Sequence, residues 1–123
     1  MLGGATLVRL TVEEFGISKE AGKYPNEPKH TQRLYFITDR WPTLDEALAE
    51  SDRVVMMRSK CPDMQHNDTV AYHGLKGLKD QGIDLRFSQS GQIVRVDHPD
   101  YKGEWIEYRV RMNRLTAAKL TEV

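Results

Sequence analysis

The sequence predicts a single α+β domain, with two helices packed on one face of a mainly antiparallel sheet of five to six strands. Three observations lead there. Two alternating segments near the C-terminus, Gln92–Asp97 and Trp105–Met112, flank a loop of turn-forming residues; Thr43 and Glu46 form a helix-start pair; and Gly82 closes a second helical stripe.

The C-terminal pair organises the rest. In both segments the even positions are largely apolar and the odd ones largely polar, the period of half-buried strands. Between them His98-Pro99-Asp100-Tyr101-Lys102-Gly103-Glu104 supplies a proline and a glycine to reverse the chain. Pairing Asp97 with Trp105 sets Val96 against Ile106, Val94 against Tyr108 and Arg95 against Glu107. A slip of one residue would turn Ile106, Tyr108 and Val110 to water, each losing roughly 1.5–3 kcal/mol. The Arg95–Glu107 pair is worth under about 1 kcal/mol, so burial sets the register and the charges agree with it.

Earlier in the chain, residues 6–12 alternate, with Val8, Leu10 and Val12 on one face, and read as a first strand. Residues 16–32 lack periodicity and hold glycines, prolines and the cations Lys19, Lys23, Lys29 and His30. They read as a long loop, either for binding or as a mobile excursion. Residues 33–38 are rich in β-formers and suit an interior strand. Thr43 can cap the backbone N–H three residues on while Glu46 reaches back, and Asp45 and Glu46 favour the positive end of the helix dipole. This helix is expected to end near Ser51, with residues 53–58 following as a buried strand.

Asp68 is the expected cap of a second helix running to about Gln81, with Ala71, Leu75 and Leu78 inward and Tyr72 beside them. Gly74 and Gly77 each cost that helix about 1 kcal/mol relative to alanine, which is explained if they let it lie close against a strand. Residues 84–88 are expected to lead into the hairpin and complete a C-terminal three-stranded meander, with residues 114–123 as a tail.

Length and composition bound the function. A chain of 123 residues forms one domain without metal or disulfide staples. Lysine plus arginine and aspartate plus glutamate number 18 each, so no global charge steers it to nucleic acid or membrane. A single cysteine, Cys61, excludes an internal disulfide. No apolar run approaches the roughly 18 residues of a membrane span, and the start has no secretion-signal pattern, so the expected setting is cytoplasmic.

Catalytic and metal motifs are weak. Cys61, Asp63, His66, Asp68 and His73 are close in sequence but lack the paired spacing of structural zinc sites. No metal ligand, cofactor or catalytic residue is assigned. Gly74-Leu75-Lys76-Gly77-Leu78-Lys79 does not have the spacing of a phosphate-binding loop. His98-Pro99-Asp100 matches the tripeptide of J-domain co-chaperones, in which it joins two helices; here strands flank it, and it reads as a turn.

The candidate binding residues are Arg95, Trp105, Arg109 and Arg111 on the polar face of the hairpin, Tyr101 and Lys102 in its loop, and Arg114 just beyond. Tryptophan, tyrosine and arginine are what protein interfaces concentrate. The expectation is a small non-catalytic protein-binding module, a regulator or inhibitor of a larger enzyme or complex such as mobile elements encode. A second reading is binding of RNA or single-stranded DNA, in which rings stack on bases and cations meet phosphates. A small metal-dependent enzyme is the third. Self-association through an exposed sheet edge is also open.

Overall fold

The alternation in the first strand and in the C-terminal hairpin draws both into one sheet, because each has an apolar face that only a shared core can bury. In the computed structural model, which describes residues 5–17, 28–58, 60, 69–83 and 89–115, four strands lie in the order β2-β1-β4-β3, all antiparallel. They are β1 (Thr6–Ile17), β2 (His30–Thr38), β3 (Gln92–Asp97) and β4 (Trp105–Arg114), and the helices α1 (Leu44–Arg58) and α2 (Val70–Asp80) fall between β2 and β3. The core is Val8, Leu10 and Val12 of β1, Leu34 of β2, Val94 and Val96 of β3 and Tyr108, Val110 and Met112 of β4, covered by Ala47, Val70, Ala71, Leu75 and Leu78.

The hairpin register is the expected one: Asp97 pairs with Trp105, Val96 with Ile106, Arg95 with Glu107 and Val94 with Tyr108. The turn between them is held by His98, whose Nδ1 accepts the backbone N–H groups of Asp100 at 3.0 Å and Tyr101 at 3.2 Å.

Five expectations are corrected. The sheet has four strands among the described residues, not five to six, and its central pair is β1–β4, joining the two ends of the chain. The proposed meander strand at residues 84–88 lies outside the described residues. Residues 53–58 are not a strand but the second half of α1. A short apolar run does not by itself distinguish strand from helix; here Arg53 bonds back to Glu50 and forward to Met57 at helical spacing. Ser51 lies inside the helix with its hydroxyl donating to the Leu48 carbonyl.

Of the expected 16–32 loop, residues 18–27 lie outside the described residues, and the flanks at 16–17 and 30–32 are strand. Gly16, at φ +83°, takes the bulge that shifts the β1–β4 register, and His30 and Thr31 pair with Glu14 and Glu13. Finally, residues 33–38 belong to a strand that is at the edge of the sheet among the described residues, rather than to an interior one. Arg114 is the last residue of β4 rather than the first of the expected tail, of which residues 116–123 lie outside the described residues.

The helix starts differ in kind. At α1 the expected reciprocal cap is present: the Glu46 N–H donates to Thr43 Oγ1 at 3.2 Å, and the Thr43 N–H to Glu46 Oε1 at 3.4 Å. Arg40 grips the same carboxylate with two nitrogens, at 2.7 and 3.1 Å. Asp68 lies outside the described residues, and Thr69 makes no side-chain cap bond. A buried glutamine from another element serves instead, since the Ala71 N–H donates to Gln32 Oε1 at 2.8 Å. Gly82, at φ +69°, ends α2 as expected.

The α2 glycines do what their cost implied. A Cβ on Gly77 would lie 2.2 Å from Val96 Cγ1, and one on Gly74 would lie 3.0 Å from the Tyr108 ring. The bare backbone of α2 therefore presses on β3 and β4.

Candidate functional site

Both helices pack on the side of the sheet that carries Val8, Leu10, Val12 and Val110. By strand alternation and the observed register, the opposite face holds Arg9, Thr11 and Glu13 of β1, Arg33, Tyr35 and Ile37 of β2, Ile93 and Arg95 of β3 and Trp105, Glu107, Arg109 and Arg111 of β4. No described helix covers it. Tyr35, Ile37 and Ile93 are 44%, 81% and 57% exposed there, at the two edges of the sheet.

Of the sequence-derived candidates, Arg95, Trp105, Arg109 and Arg111 share this helix-free face. Arg95 lies over the Trp105 ring and donates to Glu107 at 3.1 Å. Arg111 donates to Glu13 on the neighbouring strand, and Arg109 lies over the Phe15 ring, 5.2 Å from its centroid. Tyr101 and Lys102 are exposed in the β3–β4 turn, where the Tyr101 ring lies 4.6 Å from that of His98. Arg114 does not join the group. Its alternation with Val110 and Met112 gives it the helix-side parity, at the exposed end of β4.

Sequence reasoning missed Arg9, Phe15, Arg33, Tyr35, Ile37 and Ile93. Alternation within β1 and β2 was readable, but which strands lie beside β4 is set by contacts about a hundred residues apart. Once β1 pairs with β4, Thr11 stands opposite Arg33 on one side and Arg111 on the other. Glu13 and Glu107 are taken up by Arg111 and Arg95. Arg9, Arg33 and Arg109 carry no ion pair among the described residues. On the central strand β1, Thr11 Oγ1 and Arg9 Nε are buried with no hydrogen-bond partner among the described residues, as is Trp105 Nε1 at the turn end of β4.

A second feature lies on the helix side. A cleft of about 500 Å³ opens between the end of α2 and the β3–β4 turn, lined by Glu14, His73, Lys76, Asp80, His98 and Tyr108 among others. At its base the Tyr108 hydroxyl donates to Glu14 Oε2 at 3.1 Å. Burial, followed by the Glu14 carboxylate, raises the Tyr108 pKa far above its ordinary value, so the phenol stays a neutral donor. Gly77 lines the cleft beside Val96, and the Glu14–Tyr108 bond lies within its lining.

Among the described residues, no group of three or more His, Cys, Asp or Glu side chains is placed to hold a metal ion. Cys61, Asp63, His66 and Asp68 lie outside them. No described helix is long and apolar enough to cross a membrane. Comparison with protein-family models, curated proteins and solved structures finds no match.

Proposed function

We propose that this chain is a non-catalytic protein-binding module that uses the helix-free sheet face, acting as a regulator or inhibitor of a larger enzyme or complex. The observation that carries the reading is the composition of that face: arginines across its strands, Trp105 at the turn end of β4, and exposed Tyr35, Ile37 and Ile93 on its outer strands. Apolar area gives a partner something to bury, and arginine with tryptophan supplies directional contacts of the kind found at hot spots.

The same arginines suit a single-stranded nucleic acid less well. Two of the five are already neutralised by Glu13 and Glu107, which leaves fewer free cations to meet a phosphate backbone laid along the face. Salt separates the two readings. Affinity for a nucleic acid falls by orders of magnitude between about 50 and 200 mM salt through counterion release; affinity for a protein held by buried area changes little.

The test uses the tagged chain to capture its partner from native extract at both salt concentrations, in wild type and with Arg109→Ala and Tyr35→Asp. The expected result is capture that survives high salt and nuclease and is lost with Tyr35→Asp. Arg111 is a poor probe, because removing it strands the largely buried Glu13. Capture that vanishes with nuclease or high salt would replace this reading with nucleic-acid binding.

A further inference from the structure

We propose that the arginine-flanked floor around Thr11 is an oxyanion site that receives carboxylate side chains of an acidic segment on the protein partner. The proposal rests on the protein-binding reading and names what the partner presents. Thr11 stands between Arg33 of β2 and Arg111 of β4, and Arg9 precedes it by two residues on the same face. With strands about 4.8 Å apart and two residues spanning about 6.7 Å, these three arginines root within roughly 10 Å of one another. Glu13 occupies Arg111, while Arg9 and Arg33 have no ion pair among the described residues.

Two buried donors on this floor are unused. Thr11 is fully buried, yet its hydroxyl has no hydrogen-bond partner among the described residues, and neither has Arg9 Nε. Buried polar groups in native proteins are almost always paired, and an unpaired one calls for an explanation. A carboxylate is acceptor-only and takes several donors at once. Entering above Thr11, it accepts from the hydroxyl and from Arg9 and Arg33, with the guanidinium fork matching its two oxygens. Arg33 is exposed, and its side chain re-orients in picoseconds to nanoseconds to meet an incoming group.

Charge favours a carboxylate over a phosphate chain. An acidic side chain enters at one point, whereas a phosphodiester strand needs a row of cations along the face, two of which are already paired with Glu13 and Glu107. Tyr35, directly opposite Arg9 in the register and 44% exposed, adds the apolar contact that a protein segment uses.

The experiment titrates the isotope-labelled full chain, followed by NMR, with capped hexaglutamate and separately with decathymidylate. The expected result is that hexaglutamate moves the Arg9 and Arg33 Nε–H signals and the Thr11 amide, and that Arg33→Gln weakens this binding about tenfold. Arg33 is exposed, so the variant folds. Thr11→Val, which keeps the shape and removes the hydroxyl, raises the melting temperature while weakening hexaglutamate binding; a merely structural threonine would leave that affinity unchanged. Decathymidylate binding without hexaglutamate binding overturns the proposal in favour of a phosphate reader. If neither ligand moves these signals, there is no oxyanion site. Should Tyr35→Asp then still abolish partner capture, the protein-binding reading stands alone; should it not, both fall together.

Discussion

Arg95 lies over Trp105, its guanidinium carbon 4.8 Å from the centroid of the ring. The same guanidinium donates to Glu107, whose side chain is 3% exposed against 62% for Arg95. One solvent-facing cation thus covers a ring and a buried carboxylate. Arg95→Ala is expected to lower stability by about 1–2 kcal/mol, read from the urea midpoint. Adding Glu107→Gln should recover part of the loss, because an amide is cheaper to bury than an unpaired charge.

Gly77 on α2 meets Val96 on β3 with no room for a methyl group, the Cβ position being 2.2 Å from Val96 Cγ1. Gly77→Ala gains about 1 kcal/mol of helix propensity and incurs about 1–3 kcal/mol of overpacking. Net destabilisation is expected in thermal unfolding. Because the clash is with one methyl, Gly77→Ala combined with Val96→Ala should cost less than the sum of the two single changes.

Tyr108 holds Glu14 through its buried hydroxyl, and Tyr108→Phe should cost about 1–2 kcal/mol. The pH dependence has a definite sign. The folded pKa is raised above the ordinary 10.0, first by burial and then by Glu14. The contribution is therefore complete below pH 10 and declines as the pH rises above it, since only the unfolded chain then ionises. Alkaline unfolding of the wild type should steepen above pH 10, and Tyr108→Phe should remove that component.

Glu46 titrates on the acid side. Hydrogen bonds from Arg40 and then Thr43 lower its pKa from 4.5 to about 2. A depressed carboxylate stabilises the fold above its unfolded value and loses that contribution as the pH falls through the folded one. The cap of α1 should accordingly weaken between about pH 4.5 and pH 2, with the Glu46 carboxyl carbon resonance showing a midpoint near pH 2. Arg40→Ala should move that midpoint upward.

How much of this was legible in the sequence depended on how local the determining contacts are. The β3–β4 register could be derived residue by residue, because its two strands are separated only by a seven-residue turn and carry opposed alternation. The Thr43–Glu46 cap was readable for the same reason. Residues 53–58 were misread because Val54, Val55, Met56 and Met57 make an apolar run without a period, whereas in the fold Val54 packs against the core and Met56 and Met57 face out from the helix.

The site was half legible. Alternation in β4 put Trp105, Arg109 and Arg111 on one side, as the structure has them, but could not say that β1 would bring Arg9 and Thr11 beside them. Nor could it show that Arg114 has the opposite parity, since the strand was expected to stop before that residue. The Gln32 cap on Ala71 joins positions 39 residues apart and leaves no local mark at all.

Photo-cross-linking in the native cell tests the helix-free face most directly, with p-benzoylphenylalanine in place of Tyr35 on that face and, as the control, of Met56 on α1. Both positions are exposed, so neither substitution requires the core to move. The account predicts a discrete, nuclease-resistant protein adduct from position 35, weakened by Arg33→Gln, and none from position 56. An adduct formed only from position 56, or one from position 35 that nuclease removes, would contradict it.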